Sequence, residues 1–274
     1  MRINGLSGVC LFGLFPETAR IMNLAADLAI GLAFVAGTMM LSIGVYLITR
    51  RIARNAAYER HREMAGAMVS RIATLNGLIL ALVFAQEMGA YQRLELQTAA
   101  EANAIADIYN DAGRYDPVAL EPVRQQMVTY LRVVVEDEWS SLGAGGGLSD
   151  AAWAEWSSTY ETILDLEPQT GRQDSLRDRM LSSIDTIAAS RDMRAAEAST
   201  SVANFFWLAA LSGVVLIAAG HYIYAPERQN LVLLGLFSAY TGAILFLIYG
   251  FSNPYLAPAA LPPTPLLALA AEIT

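Results

Sequence analysis

Two long uncharged stretches at the end of the chain constrain its fold most strongly. No Asp, Glu, Lys or Arg lies between Glu197 and Glu227, and none lies between Arg228 and Glu272. A helix of about 20 apolar residues crosses a hydrocarbon core of about 30 Å, so each stretch is long enough for one span. The short polar break at 225–229 fits only a tight turn. We therefore predict an antiparallel pair of membrane-spanning helices.

A second pair of spans is predicted nearer the amino terminus. The uncharged residues 28–49 form one span, closed by Arg50 and Arg51. The next span is more polar, because only residues 72–86 lack a charge and a full crossing would need 65–88. A span this polar is expected to face protein or water. The chain is thus predicted to be an all-α membrane protein with four transmembrane helices.

One stripe of the second span carries the candidate pore residues. Asn76 lies in the middle of this span, and other side chains share its face at helical spacing. Asn76 has two interpretations: it lines a pore or contacts a substrate, or it forms a hydrogen bond that holds helices together. For a pore, the expected lining comprises Asn76, Leu80, Val83 and Phe84, with Glu87 near one mouth.

Between the second and third spans, the sequence predicts a soluble helical insertion. The second span should continue as an amphipathic helix to about Ala112. Three further helices are expected, opening at Asp116-Pro117, at Ser149 and near Asp174 or Ser175. The apolar spacing of the last helix predicts that it buries Leu176, Met180, Ile184 and Ile187. Residues 89–198 contain nine Arg and nineteen Asp or Glu, a net charge of −10. This acidic balance argues against nucleic acid, whose phosphates need a basic surface.

Few residues are available for metal or catalytic chemistry. The chain has one Cys and two His, too few and too scattered for a zinc or iron–sulfur site. No nucleophile is paired with a base, and no cofactor-binding loop is present, so we predict neither cofactor nor enzymatic activity. The acidic run at 136–138, with Glu101, could collect oxygen ligands for Ca²⁺ or Mg²⁺. Partnership of these carboxylates with Arg132, Arg191 and Arg194 is the favoured alternative.

The predicted division of the chain follows from these segments. Cys10 lies in a sequence close to a lipoprotein cleavage box, but an alternative start at Met22 explains the first residues better. The dense Arg cluster after the first span favours a cytoplasmic loop, placing the acidic insertion outside the cytoplasm. The segments are an amino-terminal segment (1–23), two transmembrane hairpins (24–88 and 201–252), the helical domain (89–200) and a Pro-rich tail (253–274).

Short motifs in a fixed order indicate a family. The chain resembles the bestrophin-like proteins, also called DUF4239 proteins, over roughly residues 28–258. Ser252, Ala257 and the lack of a Pro before Trp207 depart from the family pattern. The resemblance is carried by Glu101-Ala102-Asn103, by Tyr130 with Val134 and Glu138-Trp139, by Arg191 to Arg194, by Trp207, and by Pro254-Tyr255.

The resemblance implies a homo-oligomeric ion channel in a bacterial inner membrane, with a pentamer as one arrangement and inorganic ions as ligands. It also implies that the inserted helices lie in the cytoplasm, opposite to the placement that the Arg count favours. A membrane-anchored sensor or interaction scaffold without transport activity is the alternative function. A channel requires rotational symmetry around a polar stripe, and a scaffold does not.

Overall fold

The computed structural model describes residues 17–53, 62–199 and 204–273, and these residues form helices and connecting turns without a strand. Cys10 lies outside the described residues. So do Arg54 and Arg60 of the basic loop, which is the Arg-rich stretch at 50–62 after the first span. The α-helices are α1 (Glu17–Ile52), α2 (Arg62–Tyr115), α3 (Glu121–Val133), α4 (Trp139–Gly143), α5 (Asp150–Leu164), α6 (Gly171–Ser199), α7 (Asn204–Gly220), α8 (Arg228–Phe251) and α9 (Thr264–Ile273).

Four helices are long and apolar enough to cross a membrane, which confirms the predicted spans. They are Ala25–Ile52 in α1, Glu63–Tyr115 in α2, Phe205–Ile223 in and beyond α7, and Arg228–Phe251 in α8. α2 has 54 residues, and at 1.5 Å per residue it is about 80 Å long. Only part of α2 fits within a hydrocarbon core of about 30 Å. The predicted continuation of the second span into one long helix is confirmed.

The chain divides into two compact units. The first comprises the described residues up to Val83 together with Asn204–Tyr249, and the second comprises Phe84–Ala203 with the residues from Gly250 onward. In the first unit, Gly242 lets α8 approach α1 closely, because a Cβ there would meet Val35 Cα at 2.8 Å. At the other end of α1, the Tyr46 hydroxyl donates to the Tyr224 carbonyl at 2.9 Å.

The second unit is a helical bundle with its own apolar core. α3 packs along α5, and the indole nitrogen of Trp156 donates to the Ile184 carbonyl of α6 at 2.9 Å. The Pro-rich segment after α8 belongs to this unit, and its α9 buries Leu266 and Leu269. The buried apolar face of α6 comprises Leu176, Met180, Ile184 and Ile187, as its helical spacing predicts.

Two predicted helix starts differ from the structure. α3 begins at Glu121 rather than at Asp116-Pro117, because the Asp116 carboxylate caps a preceding turn by accepting the Val118 and Ala119 N–H groups, each at 2.9 Å. These bonds lower the pKa of Asp116, and the bond from Ala119 has the larger effect. α6 begins at Gly171, ahead of the predicted Asp174. The start after Ser149 is confirmed, since its side chain accepts the Ala152 N–H.

Candidate functional site

A short π-helical segment carries the acidic run at 136–138. α3 continues without a break through Val134–Glu138, where the hydrogen-bond pattern widens to that of a π-helix, and then into α4. Such segments are rare in proteins, and those that occur often lie at functional sites. Within this segment Glu136 and Asp137 are exposed, whereas Glu138 is fully buried. One carboxylate of the acidic run is therefore delivered to the core of the second unit.

Glu138 lies between two buried arginines of α6. One of its carboxylate oxygens accepts from Arg191 at 2.8 Å, and the other accepts from Arg194 at 2.7 Å. The first oxygen also accepts the backbone N–H of Ser149 at 2.8 Å, just before α5. Arg191 in turn donates to the Ser149 carbonyl at 3.1 Å. Glu138 thus links the π-helical segment to α6 and to the start of α5.

The second carboxylate comes from α2. Glu101 accepts from both terminal nitrogens of Arg194, a two-pronged pairing that fits the planar guanidinium. The Tyr130 hydroxyl of α3 donates to the same Glu101 carboxylate. We call Glu101, Tyr130, Glu138, Arg191 and Arg194 the buried charge cluster. All five side chains have less than 2 % of their surface exposed.

Aromatic side chains enclose the buried charge cluster. The Arg191 guanidinium lies 4.5 Å from the centre of the Trp153 ring and 5.5 Å from that of Tyr130, distances that allow cation–π attraction. The Trp139 indole donates to the Leu261 carbonyl at 3.0 Å. The Tyr255 hydroxyl donates to the Arg194 carbonyl at 3.0 Å, so the segment after α8 closes over the cluster.

The cluster is electrically balanced, with two carboxylates and two guanidiniums. Burial raises the pKa of the Tyr130 hydroxyl well above its ordinary value, and the charge of Glu101 raises it further. Burial alone would lower the pKa of Arg194. The neighbouring carboxylates outweigh this effect and raise the pKa, and Glu101 contributes most. Arg194 is therefore charged, and Tyr130 neutral, at any pH the protein meets. The arrangement ties four segments together and has no group poised for proton transfer.

The cation-site hypothesis for the acidic run does not fit this geometry. Glu101 and Glu138 are occupied by the guanidiniums, while Glu136 and Asp137 face away from them. Among the described residues, no group of three or more His, Cys, Asp or Glu side chains comes close enough to hold a metal. The alternative partnership with Arg191 and Arg194 is confirmed, but Arg132 is exposed and takes no part.

The predicted pore stripe of α2 is largely buried within the single chain. Asn76, Leu80 and Glu87 have 4 %, 3 % and 9 % of their surface exposed, and Val83 and Phe84 are half-buried. Asn76 packs against α7, where its side chain leaves no room for a Cβ at Gly213. This position favours helix packing over pore lining for Asn76. The side-chain oxygen of Asn76 does not make the expected interhelical hydrogen bond, since Oδ1 has no partner among the described residues.

The opposite face of α2, which the sequence analysis did not single out, is the exposed one. It carries small or weakly polar residues at helical spacing, flanked by large exposed apolar side chains such as Leu78 and Leu82. A scan of α2 for a second stripe at the same spacing would have found it. The small residues are Ser70, Thr74, Gly77, Ala81 and Ala85.

The remaining motif residues have separate roles. Asn103 is exposed, although Glu101 two residues before it is buried. In the first unit, the Trp207 ring lies 6.4 Å from the ring of Phe34. In the second unit, Pro254 is buried and lines a cleft of about 50 Å³ together with Glu87 and Glu197. The motif residues therefore belong mainly to the buried charge cluster and to the aromatic side chains that pack around it.

Comparison with known proteins gives one family and one fold. The family model described as a Bestrophin-like domain matches residues 32–266. Two structures of a bacterial bestrophin homologue from Klebsiella pneumoniae, one of a variant and one solved by zinc phasing, superpose with a TM-score of 0.63 at 14 % identity. Each superposition covers 87 % of this chain; it covers 97 % of the variant's chain and 95 % of the chain solved by zinc phasing. No curated protein matches the sequence.

Proposed function

The chain belongs to the bestrophin-like family, and from this premise we propose that it is a homo-oligomeric ion channel whose pore is lined by α2. Membership and the four spans make it a multi-pass membrane protein of the bestrophin type. The solved relatives are bestrophin homologues and share its fold. Ion conduction, the number of copies and the placement in a bacterial inner membrane are parts of the proposal.

The observation that carries the proposal is the exposed small-residue face of α2. A single helix that contacts only lipid has no need for Thr74, Gly77 and Ala81 on its lipid side, because acyl chains pack equally well against large apolar residues. Small side chains let helices of neighbouring copies approach closely around an axis, and they leave room for water along it. We therefore assign the pore to this face, with half-buried Phe84 at its border.

The buried charge cluster supports the proposal through α2. Glu101 is the residue by which α2, continuing beyond its membrane-spanning part, is joined to Arg194 and Tyr130 within the second unit. A pore-lining helix must keep a fixed rotation about its own axis, because its open face and its packed face differ. The paired charges fix the rotation of α2 within the second unit, since an alternative rotation there would leave buried charges without partners.

Ion flux into vesicles tests the proposal. Purified protein is reconstituted into liposomes, and the uptake of Na⁺ and Cl⁻ is compared for the wild type, Ala81→Trp and the control Ala36→Trp, which adds the same bulk to an exposed position of α1. We expect flux in the wild type and the control and a loss of at least tenfold in Ala81→Trp. Mass photometry on the same samples should give several copies per particle.

Asn76→Leu distinguishes the two faces of α2. If the pore follows the exposed face, this substitution leaves ion selectivity unchanged in folded protein. A change of selectivity in Asn76→Leu combined with normal flux in Ala81→Trp would place the pore on the buried stripe instead. Particles that contain one copy and pass no ions would end the channel proposal and favour a membrane-anchored scaffold.

A further inference from the structure

Within the first unit, an apolar groove separates part of α1 from part of α8. Its volume is about 390 Å³, within the range of pockets that take small-molecule ligands. Met39 and Ile43 form one wall, and Leu231, Leu236 and Ala239 lie along the other. Gly235 is buried between them and provides the floor, because a side chain there would project toward Met39 Cε, 3.4 Å from the Cβ position.

The groove lies between two contacts of these helices. On one side, α8 approaches α1 closely at Gly242, and the Thr38 hydroxyl donates to the Ser238 carbonyl at 3.0 Å. On the other side, Arg50 of α1 donates to the Tyr224 carbonyl at 2.6 Å, just before α8 begins. The groove residues on α8 run from Arg228 to Ala239, so Arg228 lies at the end nearer Tyr224.

Length identifies the kind of occupant. Arg228 and Ala239 are eleven residues apart on α8, which at 1.5 Å per residue is about 16 Å. A hydrocarbon core is about 30 Å thick, so the groove spans about one leaflet. One acyl chain of a lipid has the matching length and is apolar along all of it.

Charge identifies the headgroup. The Arg228 side chain is exposed and lines one end of the groove, and it makes no ion pair with another described residue. Arg50 and Arg51 bring further positive charge to the same end of α1. Glu227 is the acidic side chain next to Arg228 in the chain and reduces this charge. Basic pockets between transmembrane helices favour anionic headgroups.

We propose that the groove between α1 and α8 is a binding site for one anionic phospholipid, with an acyl chain over Gly235 and the phosphate headgroup at Arg228. The site lies in the leaflet on the side of the Arg50–Arg51 end of α1. It does not depend on the channel proposal, because lipid binding is measured without ion flux. Phosphatidylglycerol is the probe, since its headgroup carries one net negative charge.

Native mass spectrometry of the detergent-solubilised protein tests the site. The protein is titrated with phosphatidylglycerol and, separately, with zwitterionic phosphatidylcholine of the same chain length. We expect tighter retention of phosphatidylglycerol, reduced about fivefold in Arg228→Gln, as one lost charge implies. Arg172→Gln removes an exposed charge from α6 and should change nothing. Glu227→Gln should tighten retention, which a damaged fold would not do.

The acyl-chain part of the site has its own variant. Gly235→Leu fills the groove and should reduce the retention of both lipids, whereas Gly37→Leu, whose Cβ position on α1 has no neighbour within 4 Å, should not. Equal retention of the two lipids, or equal effects of Arg228→Gln and Arg172→Gln, would refute headgroup recognition. Unchanged lipid retention with an altered number of copies in Gly235→Leu would show that a second copy covers the groove.

Discussion

Glu136 and Glu138 lie two residues apart in one acidic run, yet one is in solvent and the other is fully buried. The difference comes from helix phase, because Glu138 continues the buried stripe of Met127, Leu131 and Val134 at helical spacing, whereas Glu136 lies on the opposite face. A buried carboxylate is stable only with partners that replace water, and Arg191 and Arg194 supply them. Because these residues pair with one another, removal of one should leave a buried charge without a partner and lower the free energy of unfolding.

Arg194→Gln should strongly destabilise the second unit. The substitution leaves Glu101 without its guanidinium and removes one of the two arginines that pair with Glu138, and the loss of one partner of a buried pair costs about 3–5 kcal/mol. Arg93→Gln breaks the more exposed pair with Glu197 and should cost about 1 kcal/mol or less. Thermal unfolding followed by circular dichroism compares the two. Similar shifts in both variants would contradict the assigned importance of burial.

Alkaline pH should destabilise the protein through Tyr130. Its folded pKa is raised by burial, whereas the unfolded phenol ionises near 10.0. Below pH 10 the stabilising effect is complete, and above it the free energy of unfolding should fall by about 1.4 kcal/mol per pH unit for this group. Tyr255, whose pKa burial also raises, adds a similar slope. Unfolding midpoints between pH 8 and 11 should decline less steeply in Tyr130→Phe, and an unchanged slope would refute the assignment.

At the scale of elements, α2 and α7 meet through a residue without a side chain. Gly213 of α7 lies against Asn76, and a small residue at such a contact lets two membrane helices approach closely. The contact fixes which face of α2 is packed and which is open. The rotation of α2 therefore depends on one glycine of a neighbouring helix as well as on its own sequence.

Gly213→Ala should separate α2 from α7 and lower stability by about 1–3 kcal/mol, the usual cost of overpacking. Adding Asn76→Ala removes the atoms that the new methyl group meets, so the double variant should recover most of the loss. Gly37→Ala introduces a methyl group where nothing lies within 4 Å and serves as the control. Unfolding temperatures in detergent provide the measurement. Additive losses in the double variant would show that Asn76 and Gly213 are not in contact.

At the scale of the whole molecule, we expect four spans to put the basic loop and the turn between α7 and α8 on one side of the membrane. The bonds from Tyr46 and Arg50 to Tyr224 agree with this expectation, because they join the end of α1 to that turn. We then expect the helical insertion on the other side. The cytoplasmic side is inferred from charge, and the Arg cluster after α1 favours a cytoplasmic basic loop.

Cysteine labelling tests this orientation. The chain has one cysteine, so a Cys10→Ser background allows single cysteines to be introduced. Ala225→Cys lies in the exposed turn and Arg172→Cys in the exposed start of α6. The charge argument predicts that a membrane-impermeant maleimide labels Arg172→Cys in intact spheroplasts and Ala225→Cys only after lysis. The reverse pattern would support the cytoplasmic placement of the insertion that the family resemblance implies.

Much of the fold could be predicted because its signals are local. Uncharged runs identified four spans, and helical spacing identified the buried face of α6. That stripe continues in register from Ile184 and Ile187 to Arg191 and Arg194, so the burial of both arginines was implicit in it. The start of α3 was missed, because an Asp-Pro pair caps a turn as readily as a helix.

The sequence by itself determined that the chain is helical and spans a membrane four times, since length, hydropathy and period are properties of each segment alone. Only the tertiary structure decided that Glu138 pairs with Arg191 and Arg194, and that α2 packs its Asn76 face and leaves the Ala81 face open. Both outcomes depend on what neighbouring helices offer at each position. The sequence places a side chain on one face of its helix, and the packing of neighbouring helices decides whether that face is buried and which groups it meets.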